Sequence, residues 1–135
     1  MLYNEGLAHG SARFQANTIK VALLTASYTP DADHNGYAAI SPYELGTSGT
    51  NYTAGGNTLA NKTSVVDDTN DLAYDGADDV EFSSLDNGSV RYAAVYDSTA
   101  NILLRLIDFT TTRTLNGSDI FVRFANARIR ETVAA

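Results

Sequence analysis

Residues 90–109 read VRYAAVYDSTANILLRLIDF, and this stretch decides the fold class. Successive side chains of a β-strand point to opposite faces, so a strand packed against other elements shows a two-residue alternation. A second β-rich run, Ile102–Phe109, follows the first after only Ser98–Asn101, which predicts two antiparallel strands joined by a tight turn. The alternation along Val90–Asp97 sets Arg91, Ala93 and Val95 against Tyr92, Ala94 and Tyr96.

Similar runs lie on both sides of this pair. Asp86–Ser89 and Asn116-Gly117 contain Asn-Gly, which supplies the positive φ of a two-residue hairpin turn, so Val80–Phe109 is predicted to form an antiparallel meander. We predict a mostly β domain, either an antiparallel β-sandwich or a small barrel. The predicted strands are Thr18–Leu24, Thr58–Ser64, Val80–Leu85, Val90–Asp97, Ile102–Phe109 and Ile120–Ala125, with Arg128–Val133 as a further candidate.

The remaining chain predicts one short helix and one long loop. Apolar residues within Leu2–Phe14 roughly follow helical spacing, and Asn17 is expected to end this amphipathic N-terminal helix. Thr25–Asn57 is rich in Gly, Ser, Thr, Asn and Tyr, with only a brief helix-like patch at Tyr37–Ile40. Structureless loops longer than about 12–15 residues are usually binding elements, so we expect this loop to form a contact surface.

Four tyrosines make the loop the first candidate for an interaction surface. They are Tyr28, Tyr37, Tyr43 and Tyr52. Tyrosine is enriched at interfaces because it combines a large rigid ring with one polar group. The sequence leaves a second interpretation open, in which the rings fold back over the core as a lid.

The composition fits one globular domain spanning residues 1–135. The chain has no cysteine, which excludes disulfides, thiolate metal sites and cysteine nucleophiles. No stretch approaches the ~20 apolar residues of a membrane span, and no secretory signal is recognised, so we expect a cytosolic origin and no membrane partner. Sixteen acidic against nine basic residues give a net charge of -7, which disfavours nucleic acid as a partner.

The sequence predicts neither a catalytic site nor a cofactor. Asp67–Glu81 is dense in carboxylates that could bind calcium, but their spacing departs from the EF-hand pattern. We therefore expect a solvated acidic loop or a partner for arginines of a neighbouring subunit. His9 and His34 are too few for a zinc site and lack an activated nucleophile beside them. We therefore expect that the chain is not an enzyme.

Charge is distributed unevenly along the chain. Asp67–Asp97 has a local balance of -8, whereas Asn101–Ala135 has five arginines and a balance of +2. An acidic band and a basic tail can pair within one subunit or between two, and the planar guanidinium suits interfaces. Arg128 and Arg130 near the end of the chain are therefore further candidate interaction residues.

Several segments, in this order, resemble a family of small tailed-phage virion proteins. The segments are Leu2–Leu7, Thr18–Leu24, Leu59–Thr63, Asp79–Ser84, Ala94–Asp97 and Leu104–Phe109. The resemblance extends over nearly the whole chain and implies an N-terminal helix followed by β-strands. Two features depart from the family: Arg13-Phe14-Gln15 replaces its acidic-aromatic pattern before the first strand, and the chain runs past Phe124 into the tail Arg128–Glu131. Its motifs are structural, so no functional residue is transferred.

The resemblance implies a virion structural protein made in the host bacterial cytoplasm. The function we expect is a capsid decoration, or cement, protein that bridges capsomers by contact with the major capsid protein, as a homo-oligomer such as a trimer. The alternative is a tail or neck protein, that is, a tube, adaptor or fibre-attached module. A carbohydrate-binding or hydrolytic β domain fits least, because the chain has no tryptophan and no isolated acidic pair.

Overall fold

The computed structural model describes residues 1–4, 11–67, 72–124 and 129–132. These ranges contain helix α1 (Ser11–Ala16), and two 3-10 helices at Tyr37–Ala39 and Ser41–Tyr43. No helix within them is long and apolar enough to cross a bilayer. The strands are β1 (Ile19–Leu24), β2 (Asn57–Thr58), β3 (Thr63–Asp67), β4 (Leu72–Gly76), β5 (Val80–Leu85), β6 (Gly88–Asp97), β7 (Ile102–Leu115), β8 (Ser118–Val122) and β9 (Ile129–Thr132).

The described strands form three antiparallel sheets. A central sheet has the order β2-β1-β6-β7, a second has the order β3-β4-β9, and β5 pairs with β8 in a third. The predicted mostly β, antiparallel fold is confirmed. Of the two predicted architectures, the closed barrel is not formed by these strands.

A tight turn at Ser98–Asn101 joins β6 to β7, as predicted. Asn101 has a φ of 57°, a left-handed conformation that asparagine adopts more readily than most residues. The paired strands extend further than the prediction, because β7 continues past Phe109 to Leu115. This pair forms the longest antiparallel ladder of the central sheet.

The two Asn-Gly segments do not form hairpin turns. β5 pairs with β8 and not with β6, so the meander predicted for Val80–Phe109 is wrong for its first strand. Asn87 and Gly117, with φ of 53° and 62°, instead lie between the last pair of the central sheet, Gly88 with Leu115, and the first pair of β5 and β8. Their positive φ values turn both paired strands from one sheet into the next.

Both faces of the central sheet are buried. The adjacent residues Leu23 and Leu24 of β1 are fully buried but point into different apolar clusters, which we call core 1 and core 2. Core 1 fills the space between the central sheet and the β5-β8 sheet, so these two sheets form a sandwich. Core 2, on the opposite face, consists of Tyr3, Ala22, Leu24, Tyr28, Ile40, Tyr92, Ala94, Tyr96, Leu103 and Leu106.

The long loop is packed structure that covers core 2. Ile40, between the two 3-10 helices, is fully buried, and the helix-like patch predicted at Tyr37–Ile40 corresponds to the first of these helices. Glu44 bridges to Leu24, and the next residue, Leu45, donates its backbone N–H to the Leu23 carbonyl at 3.0 Å. The loop thereby extends the central sheet along the edge of β1.

Two segments near the ends of the sheets differ from the predicted secondary structure. The strand predicted at Thr58–Ser64 is divided between β2 and β3, with Asn61 at a φ of 51° between them. β4 was not predicted, because its sequence LAYDG contains Asp and Gly, which are depleted in strands. Pairing with β3 on one side and β9 on the other outweighs that propensity.

The last two strands correspond largely to the prediction. β8 begins at Ser118 rather than at Ile120, and Ala125 lies outside the described residues. β9 confirms the candidate last strand over Ile129–Thr132, although the predicted ends at residues 128 and 133 also lie outside them.

Met1–Tyr3 run along β7 and not within the predicted helix, whereas Asn4 is helical. Leu2 bridges to Arg105, the Tyr3 N–H donates to the Leu104 carbonyl at 3.1 Å, and the Leu106 N–H donates to the Met1 carbonyl at 2.8 Å. The unpaired edge of β7 supplies these backbone partners, which overrides the helical spacing. Residues 5–10 lie outside the described part of the chain, and α1 ends at residue 16, in agreement with the predicted end.

Candidate interaction surface

The loop tyrosines divide into buried and exposed positions. Tyr28 and Tyr52 are only 2% and 4% exposed, so their rings pack within the chain. Tyr37 is half-buried, and Tyr43 is 37% exposed. The interpretation of these rings as a lid over the core therefore describes Tyr28 and Tyr52, and of the four tyrosines only Tyr43 is exposed.

Tyr28 ties the loop to the start of the chain. Its hydroxyl shares a 2.9 Å hydrogen bond with the Tyr3 hydroxyl and another of 2.9 Å with His34 Nδ1. Burial is the main cause that raises the pKa of both tyrosines. His34 is therefore a hydrogen-bond partner within a packed structural network.

Glu44 is the polar centre of the loop. Its Oε1 accepts a hydrogen bond from the Tyr37 hydroxyl, and its Oε2 accepts from the Tyr52 hydroxyl and, at 2.9 Å, from the Gly55 N–H. The Tyr52 hydroxyl also accepts a bond from the Leu23 N–H at 3.1 Å. Burial, followed by the hydrogen bond to Glu44, raises the pKa of Tyr37 and Tyr52, so both hydroxyls stay protonated as donors.

A shallow cavity of about 320 Å³ opens beside this network. Tyr37 stacks on Tyr96 there, with ring centroids 5.2 Å apart, and Lys20 and Asn101 complete much of the lining. The Tyr96 hydroxyl donates to the Gly55 carbonyl at 2.6 Å, and burial raises the pKa of Tyr96 to about 12. The polar groups around the cavity thus form hydrogen bonds mainly with other groups of the same chain.

Two carboxylates of the acidic segment accept hydrogen bonds from residues outside it, and a third is buried. Asp75 is buried in β4, Asp78 accepts a hydrogen bond from the Asn61 amide at 2.5 Å, and Asp79 accepts from the Phe124 N–H at 3.1 Å. Among the described residues, no three His, Asp or Glu side chains are grouped so as to hold a metal ion. Residues 68–71 lie outside the described part, so calcium binding by Asp67–Glu81 stays a sequence hypothesis.

An aromatic and charged patch lies where the second half of β7 meets β8. Phe121 is 47% exposed, and the Arg123 guanidinium lies over its ring at 5.8 Å. Arg113 lies over Phe109 at 5.4 Å. Together with Asp119, these four side chains line a cavity of about 250 Å³, and we call the five residues the Phe121 patch.

A bulge in β7 shapes this patch. Val90 pairs with Arg113 and Tyr92 with Asp108, so Arg91 alone faces Phe109–Thr112. Arg91 holds Asp108 through two hydrogen bonds of 2.7 and 3.2 Å, which lowers the pKa of this carboxyl. The sequence analysis did not single out Phe121, because alternation along a strand does not tell which face stays exposed.

The two tail arginines are not part of this patch as described. Arg128 lies outside the described residues, and Arg130 lies in β9 with its backbone opposite Tyr74. Their proposed contact role stays a prediction. Arg123 and Arg113, which belong to the same basic third of the chain, lie over the exposed Phe121 ring and the partly buried Phe109 ring.

No protein-family model, curated protein or solved structure matches the chain.

Proposed function

We propose that this chain is a non-enzymatic structural component of a tailed-phage virion, a capsid decoration protein that bridges neighbouring capsomers. One observation carries the proposal: a packed β fold presents the Phe121 patch, in which arginines lie over the exposed Phe121 ring and the partly buried Phe109 ring. Aromatic and arginine side chains are the usual anchors of protein interfaces. The resemblance of the chain to tailed-phage virion proteins supports its assignment to a phage particle.

The long loop supports a binding role more than a chemical one. The Glu44 carboxylate accepts hydrogen bonds from two tyrosines and a backbone amide, and Tyr28 and Tyr52 are buried. These groups stabilise the face of the sheet that the loop covers. The resulting rigid body suits a protein that adds interface area to an assembled shell and thereby resists internal pressure.

The charge of the chain indicates the kind of partner surface. The net charge of -7 opposes nucleic acid and favours contact through a local positive area, which Arg113 and Arg123 supply. The expected partner is the major capsid protein, met at an acidic or mixed surface by a homo-oligomer of this chain. The protein is made in the bacterial host and resides in the virion.

The first test is co-sedimentation of the purified protein with empty expanded capsids and, separately, with isolated tails of the phage that encodes it. We expect near-stoichiometric binding to capsids. Arg113→Glu is expected to weaken that binding at least tenfold, because it reverses a charge in the patch. Arg13→Glu makes the same change at an exposed position on α1 and is expected to leave binding unchanged.

Two results would contradict this proposal. Binding only to tails, at a ring-like copy number, would favour the tail or neck module over the decoration protein. Equal loss of capsid binding in both charge-reversal variants would show that net charge, and not the Phe121 patch, governs the contact.

A further inference from the structure

Among the described residues, strand pairing occupies only one side of the β8 backbone, and we call the other side the open edge. β8 pairs with β5, and no other strand of the described residues pairs with it. The other edges nearby are covered: Met1–Tyr3 run along β7, and the side-chain amides of Asn51 and Asn57 donate to the Ser84 and Glu81 carbonyls of β5. An open strand edge is a template for pairing with another chain.

Two hydrogen bonds determine which residues of β8 face the open edge. The Phe124 N–H donates to Asp79, the residue before β5, so the even-numbered residues direct their backbone groups toward β5. The Glu81 carbonyl accepts from Asn57 and so points away from β8, which makes Glu81 and its partner Phe121 a non-hydrogen-bonded pair. Both observations direct the backbone groups of Asp119, Phe121 and Arg123 to the open edge.

The side chains of the same three residues are the exposed ones. Asp119, Phe121 and Arg123 lie on the outer face, whereas Ile120 and Val122 are buried in core 1. The Ser84 N–H donates to Asp119 Oδ1 at 2.9 Å, which holds this carboxylate on the outer face. The open edge therefore presents one acid, one aromatic ring and one base at a regular two-residue spacing.

We propose that a second copy of this chain pairs antiparallel with β8 about a twofold axis at Phe121. In that register Phe121 lies opposite its own copy, and Asp119 of each subunit lies opposite Arg123 of the other. Each of these residues directs its backbone N–H and carbonyl to the edge, so each pair exchanges hydrogen bonds. The two β5-β8 sheets become one continuous four-stranded sheet.

The order of the charges favours a second copy over an unrelated strand. Asp119 and Arg123 are equally distant from Phe121, so antiparallel self-pairing places opposite charges across from each other on both sides of the axis. Parallel self-pairing places like charges together. The two Phe121 rings, each 47% exposed in the single chain, cover one another on the outer face.

This inference goes beyond the proposed function: it assigns Asp119, Phe121 and Arg123 of the Phe121 patch to contact between two copies and leaves Phe109 and Arg113 for the capsid contact. The pairing is tested with the purified full chain alone, so its outcome does not depend on the proposed function. Sedimentation equilibrium at micromolar concentration should show a dimer. Arg123→Asp places two carboxylates opposite each other and should yield a monomer, and so should Asp119→Arg, which places two arginines there. An equimolar mixture of these two variants restores opposite charges at both positions and should sediment as a heterodimer.

A second pair of variants tests the axis without changing Asp119. Phe121→Glu and Phe121→Lys should each be monomeric alone and should form a heterodimer when mixed. Ser83→Glu makes a charge change on the same outer face of the neighbouring strand β5, away from the open edge, and should stay dimeric. Circular dichroism of each variant checks that the β fold is retained.

Three outcomes would overturn the proposal. A monomeric or trimeric wild-type chain would exclude the twofold pairing. Folded variants that stay dimeric after Arg123→Asp or Phe121→Glu would place any dimer interface elsewhere. Monomeric variants that fail to form heterodimers in both mixtures would refute the antiparallel register centred on Phe121.

Discussion

Glu44 shows how one side chain holds a long loop on a sheet. Its two oxygens accept hydrogen bonds from the hydroxyls of Tyr37 and Tyr52 and from the backbone N–H of Gly55, all within the loop. The Tyr52 hydroxyl also accepts a hydrogen bond from the Leu23 N–H and so links the network to β1. Each group of this network is satisfied by another, so the removal of a buried member leaves a polar group without its partner.

We predict that Tyr52→Phe lowers the free energy of unfolding by about 1–3 kcal/mol, measured by urea denaturation. The ring stays, but the buried Leu23 N–H loses its acceptor and Glu44 loses a donor. Tyr37→Phe is the matched comparison, because that residue is half-buried and its hydroxyl does not accept the Leu23 N–H; we expect a loss of about 1 kcal/mol or less. Equal losses in the two variants would contradict the role assigned to Leu23.

The same tyrosines predict a loss of stability in alkali. Tyr37, Tyr52 and Tyr96 have raised pKa values in the folded state, with about 12 for Tyr96. Above pH ~10 the unfolded chain releases protons that the folded chain retains, so the free energy of unfolding falls as pH rises. Each such tyrosine contributes a slope of about 1.4 kcal/mol per pH unit until it ionises in the folded state.

Denaturation midpoints measured from pH 9 to pH ~12, with tyrosinate absorbance followed in parallel, test this dependence. Tyr96→Phe should make the loss of stability less steep over the interval between pH ~10 and the pKa of about 12. A midpoint that does not change with pH in this interval would contradict the raised pKa values.

At the scale of elements, the passage of the paired strands from the central sheet into the β5-β8 sheet depends on local departures from regular strand geometry. Asn87 and Gly117 turn the paired strands from one sheet into the next, and the β7 bulge brings Phe109 and Arg113 beside β8. Within the bulge Thr110 has a φ of 75°, although a β-branched residue disfavours that conformation. The hydrogen bond from its N–H to Asp108 at 2.8 Å holds it there.

We predict that Thr110→Asn stabilises the protein by about 0.5–1 kcal/mol, because asparagine adopts positive φ with less strain than threonine. Thr111→Asn is the control, since this neighbouring residue is also exposed but does not have a positive φ. The measurement is the shift of the urea midpoint. A midpoint unchanged by Thr110→Asn would show that the bulge carries no strain at this residue.

At the scale of the whole molecule, the central sheet has a core on each face. Leu23 and Leu24 are adjacent in β1 and fully buried, one in core 1 between two sheets and the other in core 2 under the loop. If the loop is an integral layer, the two faces contribute comparably to stability. Buried leucines replaced by alanine leave cavities on whichever face they occupy.

We therefore predict that Leu23→Ala and Leu24→Ala each lower the free energy of unfolding by about 2–5 kcal/mol, by similar amounts. Both variants should unfold in one cooperative transition, measured by fluorescence and circular dichroism together. A much smaller loss for Leu24→Ala, or a separate early transition, would show that the loop opens independently of the sandwich.

Much of the secondary structure was predictable from the sequence because alternation and turn residues are local signals. β1, β6 and the turn at Ser98–Asn101 follow from them. β4 was missed because its sequence has low strand propensity, and pairing with two neighbours outweighs that propensity.

The sequence by itself determined that this protein is a mostly β, cysteine-free, acidic domain with a tyrosine-rich loop, because composition and side-chain period are properties of the chain alone. Only the tertiary structure decided how the strands pair and what is exposed. An Asn-Gly pair specifies positive φ but not whether its strands meet across a hairpin or a corner. Burial of Tyr28 and exposure of Phe121 depend on neighbours distant in sequence, which no local pattern encodes.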